Sequence, residues 1–173
     1  FEFQGIDSRP VPSLLRNFSA PVKCKYDYSD QDLPFLFKHD ADAFNRWEAG
    51  QQYALRVLLN LIHDHQREKP LQLPDALIEM FDYVLTHETQ DHFLLAEMLT
   101  LPSEKYIGEQ MTVVDVNAIH AVREFAISEI ANRLQQRLLD TYQHYHDPKA
   151  AGFDVQTIGK RQLKNRCLIY LMQ

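Results

Sequence analysis

Residues 42–66, DAFNRWEAGQQYALRVLLNLIHDHQ, decide the fold. Phe44, Trp47, Gln51, Ala54, Leu55, Leu58 and Ile62 recur at i, i+3, i+4 and i+7 spacings, the signature of a helix with one apolar stripe. Arg56, Asn60, His63 and Arg67 fall on the opposite side. Asp42 precedes the pattern, where a carboxylate can accept the free amides of a first helical turn. A helix from Asp42 to about Gln66 is therefore predicted.

The same period continues toward the C-terminus. Pro70 and Pro74 break the chain, and Asp75 opens a helix with Leu77, Met80, Phe81, Val84 and Leu85 inward. Asp91 starts another, carrying Leu94, Leu95 and Met98. Leu101-Pro102-Ser103-Glu104 ends it and caps a short turn. Asp115 then caps a helix without Gly or Pro to about His146, its stripe running Ile119, Val122, Ala126, Ile130, Leu134 and Leu138. Pro148 and Gly152 separate it from a last helix, near Asp154 to Leu171, bearing Ile158, Leu163, Cys167, Tyr170 and Leu171. Helix following helix through short loops suits stacked helical hairpins, a helical-repeat-like array without a fixed-period sequence repeat.

Toward the N-terminus the period changes. Ser29-Asp30-Gln31-Asp32 can form a capping box, although Pro34 favours a first turn nearer Asp32. Before it, Phe1 and Phe3 alternate with polar neighbours, Pro10, Pro12 and Pro21 punctuate, and Val22-Lys23-Cys24-Lys25-Tyr26 alternates again. This predicts one or two short β-strands in residues 1–27, too few for an independent sheet. The fold class is thus mainly α, with a strand-bearing start.

Composition narrows the function. Eighteen Lys+Arg against 24 Asp+Glu give a formal charge of −6, with no basic run longer than Lys160-Arg161, so no nucleic-acid partner is expected. No apolar run approaches the roughly 20 residues that span a bilayer, so no membrane partner is expected either. Two distant cysteines, Cys24 and Cys167, write neither a disulfide framework nor a zinc knuckle and favour a reducing, cytoplasmic setting. Opening on Phe1-Glu2-Phe3 and closing on Met172-Gln173, the chain is expected to be an internal piece of a longer polypeptide.

Candidate chemistry is sparse. His87-Glu88-Thr89-Gln90-Asp91-His92 is near H-E-x-x-H, but five residues turn a helix by about 500° and splay the two rings by about 140°. Asp91 also caps the next helix, which makes the segment a loop. His63-x-His65 and His144-x-His146 point about 200° apart on a helix. No catalytic or metal residue is assigned. The densest constellation is Phe44, Asn45, Arg46, Trp47, Glu48 and Gln51: either a recognition site, or a structural set with Phe44 and Trp47 in the core and Arg46 paired across a helix or domain contact.

Four motifs carry a resemblance. PVPSLLRNFSAPVK at 10–23, FNRWEAGQ at 44–51, LTLPS at 99–103 and KRQLKNRCL at 160–168 together resemble, in order, the bacterial aminopeptidase N family of zinc alanyl aminopeptidases, gluzincins. The likeness spans essentially the whole chain. It implies that residues 1–27 end a β-sandwich domain and residues 28–173 begin the helical C-terminal domain that closes over the active site. It also implies a zinc cofactor in the parent, held by an upstream H-E-x-x-H and a downstream Glu, and none in this piece. The partners implied are the parent's remaining domains, with peptide substrates reached only through the parent. A chain lacking those motifs is expected to be inactive alone. A free-standing helical-repeat interaction module, holding a partner in a groove between hairpins, is the alternative.

Overall fold

The computed structural model describes residues 4, 5, 7–18, 22, 24–87, 89, 91–147 and 152–173. Its helices are α1 (Asp32–His39), α2 (Ala43–His65), α3 (Asp75–Thr86), α4 (His92–Met98), α5 (Glu104–Glu109), α6 (Val116–Arg133), α7 (Gln135–His144) and α8 (Val155–Leu171). Among the described residues there is no strand. Residues 22 and 24–28 carry no strand assignment, and Lys23, inside the strand expected at Val22–Tyr26, lies outside the described residues. The Phe1–Phe3 expectation lies outside the described residues.

The start of α1 reconciles two signals. The Ser29 amide donates to Asp32 Oδ2 at 2.9 Å and the Asp32 amide to Ser29 Oγ at 3.2 Å, a reciprocal capping box. The regular helix nevertheless begins at Asp32, leaving Pro34 in the first turn. Caps elsewhere fall where the sequence puts them: Asp42, Asp91, Ser103, Asp115 and Asp154 each accept first-turn amides.

Helix α2 is the central element, packing against α1, α3, α4, α5 and α6. Its buried surface is accordingly wider than one stripe: Ala49, Tyr53, Val57 and Leu61 are buried together with Ala54, Leu58 and Ile62. Gly50 permits the α1 approach, since a Cβ there would lie 2.7 Å from two carbons of the buried Phe37 ring. A second close contact joins α4 and α8, where a Cβ on Gly159 would meet the Phe93 ring at 3.1 Å.

The long helix predicted from Asp115 is interrupted. Leu134, at φ −116° and ψ 17°, separates α6 from α7 and turns α7 onto α3 and α8. Its amide still donates to the Ile130 carbonyl at 3.0 Å, and its carbonyl accepts from Leu138 N at 2.9 Å. Both torsions of this one residue leave the helical range while its own two helical hydrogen bonds survive, so neither Gly nor Pro is required. Arg133 and Arg137, flanking the break, reach Asp75 (2.6 Å) and Asp82 (3.1 Å) on α3.

Candidate functional site

The first turns of α2 place the constellation read from the sequence, and its members diverge. Asp42 caps the helix through Oδ1, which accepts from Phe44 N and Asn45 N at 3.0 Å. Its Oδ2 accepts the Asn17 amide at 2.9 Å, so one carboxylate joins helix start and N-terminal segment. These amides, Asn17's foremost, hold the Asp42 carboxyl below its usual range. Asn45 Nδ2 donates to Ser13 Oγ (3.0 Å) and to the Leu14 carbonyl (2.9 Å). Tyr28, whose hydroxyl is pushed up in pKa chiefly by burial, donates to the Pro12 carbonyl at 2.8 Å. Arg56 in turn donates to the Tyr28 carbonyl with both terminal nitrogens.

Arg46 points the other way. Its Nε donates to the Phe37 carbonyl at 3.1 Å, and its guanidinium lies 5.8 Å from the centre of the Tyr83 ring. Trp47 is half-buried, and Phe44, stacked at a tilt 5.2 Å from it, remains 38% exposed. Phe44, the second residue of α2, is therefore a rim residue. Glu48 accepts from Gln52 Nε2 at 2.8 Å. Phe44, Asn45 and Glu48 line a cleft of about 780 Å³ between the N-terminal segment and α1–α2, with Ser13, Leu14, Leu15 and Tyr26 opposite and Leu33, Leu36 and Ala49 as its floor.

Gln51 belongs to a different centre. Its Nε2 donates to the Thr100 carbonyl at 2.7 Å. On the same loop the buried Tyr170 hydroxyl of α8 donates to the Leu99 carbonyl at 2.7 Å, and Arg123 Nε of α6 to the Pro102 carbonyl at 3.1 Å. Three helices remote in sequence thus satisfy three carbonyls of the α4–α5 connection. This accounts physically for the LTLPS stretch, whose irregular backbone is buried at Leu99 and Leu101. Tyr170 and Arg123 were not singled out from the sequence; an isolated aromatic or arginine on a helix carries no mark of a distant carbonyl.

The histidines do not converge. His87 follows α3 and stacks on Tyr83 at 4.9 Å, whereas His92 begins α4 and meets the Tyr145 ring edge-on at 5.1 Å. Asp91 lies between them with its carboxylate on Leu94 N at 2.9 Å, the loop-and-cap arrangement expected. Among the described residues no group of three or more His, Cys, Asp or Glu side chains could hold a metal ion. Cys167 is buried against apolar neighbours, which pushes its thiol up to about 12 and makes it a packing residue. No helix among the described residues is long and apolar enough to cross a membrane.

Comparison with known proteins gives a consistent picture. Residues 30–173 match a family described as a domain of unknown function (DUF3458_C), ARM repeats. Over 171 residues the chain is 38% identical to aminopeptidase N of Escherichia coli strain K12, covering 99% of this chain and 20% of that protein. It is 36% identical over 173 residues to aminopeptidase N of Haemophilus influenzae, again with 99% and 20% coverage. Among solved structures, Legionella pneumophila aminopeptidase A in complex with aspartic acid superposes with a TM-score of 0.81 at 32% identity, covering 99% of this chain and 20% of that one. The resemblance read from the four motifs holds, and the chain spans about one fifth of the length of these relatives.

Proposed function

Since the chain belongs to the DUF3458_C family of ARM repeats, we propose that it serves as a structural segment of a zinc-dependent aminopeptidase, a hydrolase removing N-terminal residues from peptides. The observation that carries this reading is near-complete homology to one fifth of aminopeptidase N. In the proposed arrangement residues 1–27 end a β-sandwich domain and residues 28–173 begin the helical domain that closes over the catalytic chamber. Zinc and its ligands belong to the rest of the parent. The setting is cytoplasmic, and peptides reach this segment only as chamber contents.

The geometry suits that role. Arg46, Asn45 and Gln51 tie α2 to α1, to the N-terminal segment and to the α4–α5 loop, so the early turns of α2 act as a junction instead of a catalytic cluster. Stacked helical units bury one face on each neighbour, and α8 leaves Ile158 and Ile169, with Met172 just beyond its end, exposed as a surface for a neighbouring unit.

The test is a peptidase assay of the intact parent and of this chain on an alanine-terminated chromogenic substrate, with zinc measured in both. Turnover and stoichiometric zinc in the parent, with neither in the chain, are expected. Turnover or tight zinc binding by the chain itself would overturn the structural-segment reading. An intact native protein without H-E-x-x-H would favour a free-standing interaction module.

A further inference from the structure

We propose that residues 9–17 are a latch, a strap that closes on α1–α2 and opens independently of the helical core, with Asn45 and Asp42 as its catch. The proposal concerns this chain's own conformations and does not depend on the aminopeptidase reading.

The strap is held almost entirely by polar hooks. Arg9 Nη2 reaches Asp32 Oδ2 at 2.9 Å, from a side chain 65% exposed. Asn45 Nδ2 donates to two strap oxygens, Ser13 Oγ and the Leu14 carbonyl, and the Asn17 amide donates to Asp42 Oδ2. The Pro12 carbonyl accepts the Tyr28 hydroxyl. Apolar anchorage is slight: Val11 packs at the edge of the core, and residues 11–15 are half-buried. An element with few buried apolar contacts and partly exposed hydrogen bonds sits at the low-stability end of a structure.

The backbone at the catch is strained. Leu15 has φ 52° and Asn17 φ 57°, left-handed conformations that asparagine tolerates and a leucine rarely adopts. Such a conformation persists only while its surroundings enforce it. Here the enforcing contacts are the Asn45 amide just before Leu15 and the Asp42 carboxylate on Asn17. Breaking them releases the strain, so opening is favoured locally without disturbing α2, whose own cap uses the other oxygen of Asp42. Ser13, Leu14 and Leu15 form one wall of the cleft, and opening the strap exposes its floor of Leu33, Leu36 and Ala49.

Asn45→Asp tests this cleanly. At the third residue of α2 a carboxylate favours the helix N-terminus, yet it cannot donate to the Leu14 carbonyl. Amide hydrogen exchange of the whole chain, resolved by NMR, is expected to speed up about tenfold at Asn17 in N45D, the loss of one or two hydrogen bonds. Amides of α3 and α6 should be unchanged. Asn45→Ala should give the same local acceleration without the added charge. Unchanged exchange at Asn17 in both variants, or acceleration there in step with the α6 amides, would overturn the latch.

Discussion

Replacing Tyr170 by Phe removes one oxygen atom and tests whether the α4–α5 loop is held from outside. The ring is buried, 3% exposed, and meets Phe81 edge-on at 5.9 Å, contacts that Phe retains. What disappears is the 2.7 Å hydrogen bond to the Leu99 carbonyl. Leu99 is itself fully buried, at 0% exposure, so water does not replace the hydroxyl readily. An acceptor stranded in that way costs about 1–3 kcal/mol. For a chain of this size that corresponds to a fall in Tm of about 2–12 °C. Denaturant unfolding should show a lower midpoint with an unchanged slope.

The neighbouring Gln51–Thr100 bond provides a second axis. Carbonyls of consecutive residues move together, so Tyr170→Phe and Gln51→Leu should be non-additive by about 0.5 kcal/mol or more in a double-mutant cycle. Tyr106→Phe, on a side chain 42% exposed, is the control and should stay within about 0.5 kcal/mol of the parent. A Tyr170→Phe protein as stable as the parent would refute the reasoning, because the loop would then satisfy its carbonyls by itself.

Gly50→Ala should destabilise by about 1–2 kcal/mol: overpacking against Phe37 outweighs a helix-propensity gain of up to ~1 kcal/mol. A raised denaturation midpoint would mean the ring turns aside. Trp47→Ala should cost about 1–3 kcal/mol, below the ~3–5 of a fully buried aromatic, because the ring is half-buried; calorimetry decides, and no change would place Trp47 on a binding surface. His120 Nδ1 lies 2.8 Å from Glu104 Oε1, which raises the imidazole pKa through the hydrogen bond first and the charge second. With its folded pKa above the unfolded ~6.5, this pair contributes fully below ~6.5, and its contribution fades as pH rises through the folded value. NMR titration should show Glu104→Gln lowering the His120 midpoint, and an unmoved midpoint would remove the pair from the account.

Helix positions were legible because their signals are local. Asp42, Asp91, Ser103, Asp115 and Asp154 announce helix starts through short side chains that compete for the next turn's amides, and the structure uses each so. The break at Leu134 was illegible because Leu134 keeps both of its own helical hydrogen bonds and needs no Gly or Pro, and because ion pairs reach across to α3, 58 residues from Arg133 to Asp75. The stripe on α2 was read too narrowly for a related reason: periodicity reveals one face, whereas a helix with neighbours on several sides buries small residues such as Ala49 and Gly50 that carry little hydropathic signal. At the candidate site, the sequence grouped Asn45, Arg46 and Gln51 by adjacency, yet successive side chains leave a helix about 100° apart. They serve three different partners.

That divergence explains how one short helical segment can be a junction. A residue pair four apart shares a face and reinforces one contact, whereas Asn45, Arg46 and Gln51 fan out around α2 and reach the strap, α1 and the α4–α5 loop. The loop is then also gripped by α6 and α8 through Arg123 and Tyr170. Orientation is therefore relayed from α2 through a clamped loop to α6 and α8, each step made by a directional hydrogen bond. Apolar burial counted as area is indifferent to register; the fit of side chains, Phe37 over Gly50 and Phe93 over Gly159, sets it. The polar ties add direction to that fit, and with it the face on which α8 presents Ile158 and Ile169.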